Sequence, residues 1–371
     1  MVNALKKMDK KFLIFASLIL GLPIVIIILL ALLQSCKNSR ISYADYEQKM
    51  ISAAEKYVSE EKVKTLKEGE TLEISLKKLI SKEYIKSTDK LLGDNSCEGS
   101  IIVRKNGSTI EENEGGFLNY IVNLKCDSYE TKTLNSSLMK NLTTEGAGLY
   151  ESNGIYVFKG EDVKNYINFY GQQYRIMSID ENGLIKLLKA EAESLNKYWD
   201  VKYNTEVDNS FGKNIYADSS IIKELLTVYL DNKKISKSAR KHLVSKNLCV
   251  DSRNLEDLTK DVKTECNNVL ENQAIALIDV TDFASASLDV ECVNIKSKSC
   301  RNYNYMKNLH LSTWTYVGVS NNTYDVYYLS NGIINSEHAN KYLSYNIVIY
   351  IDGNETYISG DGSEKFPYVI E

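Results

Sequence analysis

Proline is almost missing from this chain, with 2 residues in 371, and histidine is nearly as scarce at 3. No proline-rich or other low-complexity tract is present, and no repeat recurs at solenoid spacing. His242, His310 and His338 stand far apart, with no two at metal-ligand spacing and none in H-E-x-x-H, so each reads as a surface or hydrogen-bonded histidine. The sequence also lacks a G-x-S-x-G elbow, a phosphate-binding G-x-x-x-x-G-K-[ST] loop and a G-x-G-x-x-G turn. Asp352-Gly353-Asn354 and Asp361-Gly362-Ser363 read as tight turns, since neither has calcium-loop spacing. The chain therefore offers no catalytic residue, no metal ligand and no cofactor motif. A net charge of −4 supplies no basic face, which argues against nucleic acid.

What the chain does have begins with residues 12 to 34, FLIFASLILGLPIVIIILLALLQ, a run without one charged side chain. About 20 apolar residues cross the hydrocarbon core of a bilayer. Lys6, Lys7, Lys10 and Lys11 precede the run, so the lysine-rich end stays inside and residues 37 to 371 lie outside. The expected arrangement is a cytoplasmic tail over 1–11 and a single-pass transmembrane helix or signal anchor over 12–34. The membrane is then the first expected partner. Cys36 supports a second reading. Leu33-Gln34-Ser35-Cys36 looks like a lipobox, with Ser35 as the small residue before a lipidated cysteine. The length of the run favours the uncleaved anchor, and a lipid anchor on the outer face is the alternative.

The remaining six cysteines, Cys97, Cys126, Cys249, Cys266, Cys292 and Cys300, are an even set without C-x-x-C spacing, which in an exported segment reads as disulfides. Residues 131 to 148 are polar and rich in small side chains, the expected boundary between a small module over 37–130 and a larger domain over 149–371. Pairing within each side of that boundary gives Cys97–Cys126, and nearest-neighbour pairing among the other four gives Cys249–Cys266 and Cys292–Cys300. The crossed pairs Cys249–Cys292 and Cys266–Cys300 stay open. Each short loop so closed is worth roughly 3 kcal/mol.

In the small module, Tyr43, Tyr46, Met50, Ala53 and Tyr57 form one helical stripe behind a Ser42 cap, Ser75 opens a second short helix, and Phe117 to Cys126 alternates as a strand. In the larger part, Tyr174–Ile179 and Leu184–Leu188 flank a turn at Asp180–Gly183, and Ile221 to Leu230 reads as a helix capped by Asp218 or Ser219. Further strands are expected at Ile155–Phe158, Ala274–Val280, Thr313–Val319, Val326–Leu329, Ile347–Ile351 and Tyr368–Ile370, with Asn331-Gly332 as a hairpin turn. The expected fold class is α+β: an N-terminal transmembrane helix, a small helix-plus-sheet module, and a larger, mostly antiparallel α+β domain.

Residues 170 to 190, YGQQYRIMSIDENGLIKLLKA, and 357 to 370, YISGDGSEKFPYVI, resemble the two ends of an uncharacterised surface domain of low-GC Gram-positive bacterial membrane-anchored proteins. That family often reads W-R-I-I near its start and G-D-G-[ST]-x-x-N-P-Y-x-[IL] at its end. The likeness spans about residues 150 to 371 and implies a C-type-lectin or formylglycine-enzyme kind of sandwich. It also implies Tyr174, Arg175 and Trp314 as ligand-binding positions. Two departures stand out: Tyr174 replaces the family tryptophan, and Tyr345-Asn346 replaces the usual Arg-Pro. The small module is loosely similar to type IV pilins. The 26 tyrosines and two tryptophans could supply stacking platforms for sugars. The expectation is thus a membrane-anchored extracellular protein with a binding or adhesive C-terminal domain, its partner a cell-wall polymer, a glycan or a host surface. The alternatives are an exported enzyme acting on the envelope and a pilin-like structural subunit.

Overall fold

Ser42 and Asp45 form a reciprocal cap, with the Asp45 N–H donating to Ser42 Oγ at 3.1 Å and the Ser42 N–H donating to Asp45 Oδ2 at 3.3 Å. Behind this cap the helix Tyr43–Glu60 buries Tyr46, Met50, Ala53 and Tyr57 of the expected stripe, with Ala54 beside them and Tyr43 half-buried. Its apolar face lies on a four-stranded sheet ordered Thr71–Ser75, Glu98–Asn106, Phe117–Cys126, Tyr129–Glu130. Val122, Leu124 and Cys126 join Ile101 and Val103 beneath the helix, and the Cys97–Cys126 disulfide ties the sheet. This computed structural model describes residues 40–60, 66, 70–106, 117–152, 154–231, 234–254, 266–309 and 312–371. The expectations placed on residues 1–39, including the anchor at 12–34 and lipidation of Cys36, lie outside the described residues, as does His310.

A separate and larger core is built on two sheets. The eight-stranded sheet contains Ile275–Leu277, Ile347–Asp352, Leu184–Lys189, Gln172–Ile179, Ile155–Lys159 and Gly148–Ser152 in that order, with Tyr166–Phe169 beside Gln172–Ile179 and Tyr368–Ile370 beyond it. The five-stranded sheet runs Glu193–Tyr198, Tyr342–Tyr345, Thr313–Gly318, Asp325–Ser330, Ile333–His338. Two adjacencies are parallel, Tyr368–Ile370 with Tyr166–Phe169 and Thr313–Gly318 with Tyr342–Tyr345. The other pairings are antiparallel among the described strands.

The α+β expectation is overturned for the described residues, while the helix expected over 12–34 lies outside them. The structure is mostly sheet, 38% strand against 22% helical, and no helix among the described residues is long and apolar enough to cross a membrane. Two local expectations change with it. The strand expected over Ala274–Val280 stops at Leu277, because Asp279 and Asp282 form a capping box that starts the helix Val280–Ser285. The stretch 131–148, expected as a linker, carries the helix Leu134–Leu138, whose two leucines are buried in the larger core. The three disulfides pair as nearest neighbours within each side, Cys249–Cys266 and Cys292–Cys300 joining Cys97–Cys126. They fit an extracellular or exported chain.

Polar contacts bridge the two cores. Arg104 meets Asp352 at 2.6 Å, and the Asn119 amide donates to Glu355 at 2.5 Å. His242 Nδ1 lies 3.0 Å from the same Glu355, while its Nε2 lies 2.7 Å from the Tyr170 hydroxyl.

Candidate functional site

The site starts from a tight turn. Tyr170 and Gly171 have φ of 49° and 78°, the left-handed pair that a two-residue hairpin demands. The turn sets Tyr166 opposite Arg175, and Arg175 opposite Leu188 on the next strand. Strand alternation then places Gln173 and Arg175 on one face and sends Tyr174 to the other. Asn165, fully buried, fixes the arginine: its Oδ1 accepts from Arg175 Nε at 2.6 Å, and its amide nitrogen donates to Ile176 O at 2.7 Å.

The opposing wall is the loop after Cys300. Asn304 holds it by donating to Phe283 O at 2.7 Å and Cys300 O at 2.8 Å, and by accepting from the Met306 N–H at 2.9 Å. That loop swings Tyr305 over the guanidinium, whose carbon lies 3.7 Å from the Tyr166 ring centre and 4.8 Å from that of Tyr305. An arginine stacked between two phenol rings is held by cation–π attraction as well as by its hydrogen bond. Burial pulls the Arg175 guanidinium below its ordinary value, and burial pushes the Tyr305 phenol up.

Between these walls lies a cleft of about 730 Å³, which Asn346 also lines. Its acidic side chains are Glu161, Asp162, Glu191 and Glu364, against Arg175 and Lys307 as the basic ones. Lys307 is ion-paired with Glu161. On the same strand face as Leu188, the Lys186 ammonium contacts Asp282 Oδ2 at 2.6 Å and Oδ1 at 2.7 Å. Burial alone would lower the lysine, but the carboxylates of Asp282 and Asp279 hold it above its ordinary range.

Of the three positions implied by the family resemblance, Arg175 lines the cleft. Tyr174 does not, being 1% exposed and edge-on to Phe169 in the core. Trp314 does not either. It is fully buried and donates its indole N–H to Lys197 O at 3.0 Å. Sequence reasoning missed Tyr166, Tyr305 and Asn346, although Asn346 is one of the three residues that depart from the family pattern. Comparison with known proteins finds no matching family model, no matching curated protein and no matching solved structure.

Proposed function

We propose that this is an exported surface protein, tethered at a membrane through its apolar N-terminal segment, whose larger portion binds carbohydrate in the cleft walled by Tyr166, Arg175 and Tyr305. The observation that carries the reading is the convergence, in one concave site of about 730 Å³, of aromatic side chains with amide and carboxylate groups. Sugars present apolar C–H faces that suit phenol rings and hydroxyls that suit amides and carboxylates, and pockets of this size bury small ligands well. The resemblance of residues 150 to 371 to bacterial surface domains bears on the surface location alone. Four carboxylates at the cleft favour a second one, hydrolysis of the bound glycan, since glycosidases act through paired acids.

The test is a screen of the full chain in detergent against cell-wall polymers and host glycans, beside Tyr166→Ala. Retention of at least one glycan, lost in the variant at an unchanged melting temperature, is expected. Absence of any glycan ligand, or equal retention by the variant, overturns the reading. Release of new reducing ends from a retained glycan selects the hydrolytic alternative.

A further inference from the structure

Strand pairing sets Lys186 opposite Tyr350, and the capping box sets Asp282 at the third position of the helix Val280–Ser285. The two side chains meet where water scarcely reaches, at 13% and 14% exposure. The Lys186 nitrogen lies 2.7 Å from Asp282 Oδ1 and 2.6 Å from Oδ2, so it is almost equally close to both oxygens and near the carboxyl carbon between them. Reacting groups held together in this way gain an effective concentration on the order of 10⁵–10⁸ M. Two buried charges are costly to desolvate, whereas an amide between the same side chains carries neither charge.

A second carboxylate attends the pair. Asp279, 5% exposed, donates its N–H to Asp282 Oδ2 at 2.8 Å, and its charge acts on both Lys186 and Asp282. Its own carboxylate is fixed by the Tyr316 hydroxyl and by the Thr281 N–H and hydroxyl, with Arg253 at 3.9 Å. The buried rings of Tyr305, Tyr316 and Tyr350 lie around these groups.

From this geometry we infer that Lys186 and Asp282 condense, after folding, into an amide cross-link between their side chains. The Lys186 ammonium gives one proton to the Asp282 carboxylate through their hydrogen bond; burial pushes that carboxyl up, which suits it to accept. The neutral amine then adds its lone pair to Asp282 Cγ, and the C–N bond forms. Asp279 takes the second proton from the nitrogen and passes it to the Asp282 hydroxyl. The C–O bond breaks and one water leaves. A cation and an anion become a neutral amide and water, with no oxidant or cofactor consumed. Condensation is slow beside folding, because the carboxylates outweigh burial and hold the Lys186 proton tightly. The bond links positions 96 residues apart. It joins the strand carrying Leu188 to the helix whose Phe283 carbonyl anchors Asn304, and so ties two walls of the cleft.

Intact mass and peptide mapping of the full chain in detergent, directly after purification and again after several days at growth temperature, test this. By the end of that period the chain is expected to be lighter by one water, and digestion should release a branched peptide joining Lys186 to Asp282. Lys186→Arg keeps a cation beside Asp282 but no nucleophilic amine, and should keep its full mass throughout. Asp279→Asn keeps the cap oxygen for the Thr281 N–H and should slow the loss at least about 100-fold, the usual size of a proton-transfer contribution. An equal rate in that variant overturns the part assigned to Asp279. An aged chain at full mass overturns the cross-link. So does loss of water by Lys186→Arg to the same extent, or recovery of Lys186 in an unbranched peptide from a chain that has lost water elsewhere.

Discussion

Removing the Tyr305 hydroxyl should leave the fold as stable as before or more so, whereas the same change at Tyr46 or Tyr316 should weaken it. Tyr46 is fully buried and its hydroxyl donates to Lys86 O at 2.9 Å. Tyr46→Phe deletes that bond and leaves a carbonyl short of a partner, a loss of about 1 kcal/mol. Tyr316 donates to the buried carboxylate of Asp279, a charge-assisted bond. Tyr316→Phe should cost about 1.5–3 kcal/mol. Tyr305 Oη is buried with no partner among the described residues, so the fold bears its desolvation without a bond in return. Tyr305→Phe is then expected to change stability by between zero and about 1 kcal/mol in the stabilising direction. Urea unfolding midpoints at a constant slope report the three changes on one scale. A loss at Tyr305→Phe as large as that at Tyr316→Phe would mean that the hydroxyl is bonded within the fold, which would refute the reasoning.

Lys186→Met should destabilise by about 3–5 kcal/mol because it strands the buried Asp282 carboxylate; adding Asp282→Asn, which keeps an acceptor for the Asp279 N–H, should recover most of that in the same urea assay. Burial holds the phenols of Tyr46 and Tyr350 at about 12, and that of Tyr170, with Glu355 adding, at about 12 as well. A folded value above the unfolded one of about 10 means that their contribution is complete below about pH 10 and is lost as pH rises through about 12. Circular dichroism and tyrosine ultraviolet absorbance should therefore change together across that window; full ionisation near pH 10 in an intact fold contradicts it. Replacing Cys292 and Cys300 by serine removes a bridge that lies beside the Asn304 anchor, whose amide binds Cys300 O. The expected outcome is a loss of about 2–3 kcal/mol in the urea assay, together with weaker glycan retention.

Much of the local structure was legible because local chemistry decides it. Phe117–Cys126 and Tyr368–Ile370 form strands over the residues their patterns indicated, and Asn331-Gly332, with φ of 50° and 70°, joins strands in the register that a two-residue turn imposes. Keeping cysteines on their own side of residues 131–148 gave Cys97–Cys126, and short-loop, nearest-neighbour pairing gave the other two over the crossed alternative that the sequence left open. The helix Val280–Ser285 was hidden by the apolar run before it, although Asp279 and Asp282 already had capping-box spacing. Leu134 and Leu138 make a stripe too short to stand out in a polar stretch. The cleft was hardly legible at all. Its walls come from four separate parts of the chain, joined by strand register and by the Asn304 anchor. Nothing near Tyr305 distinguishes it from the chain's other tyrosines, and Asn346 stood out only as a departure from the family pattern. Strand alternation separates Arg175 from Tyr174, and without the sheet's orientation both neighbours stood as equal candidates.

Hydrogen–deuterium exchange of the full chain, with and without the oligosaccharide it retains best, tests the carbohydrate cleft most directly. Slowed exchange is expected in residues 160–175, in the loop 302–309 and around Asn346, with the small sheet at 71–130 unaffected. Protection confined to the small sheet, or none near Arg175 at saturating ligand, would contradict the assignment of the cleft as the binding site.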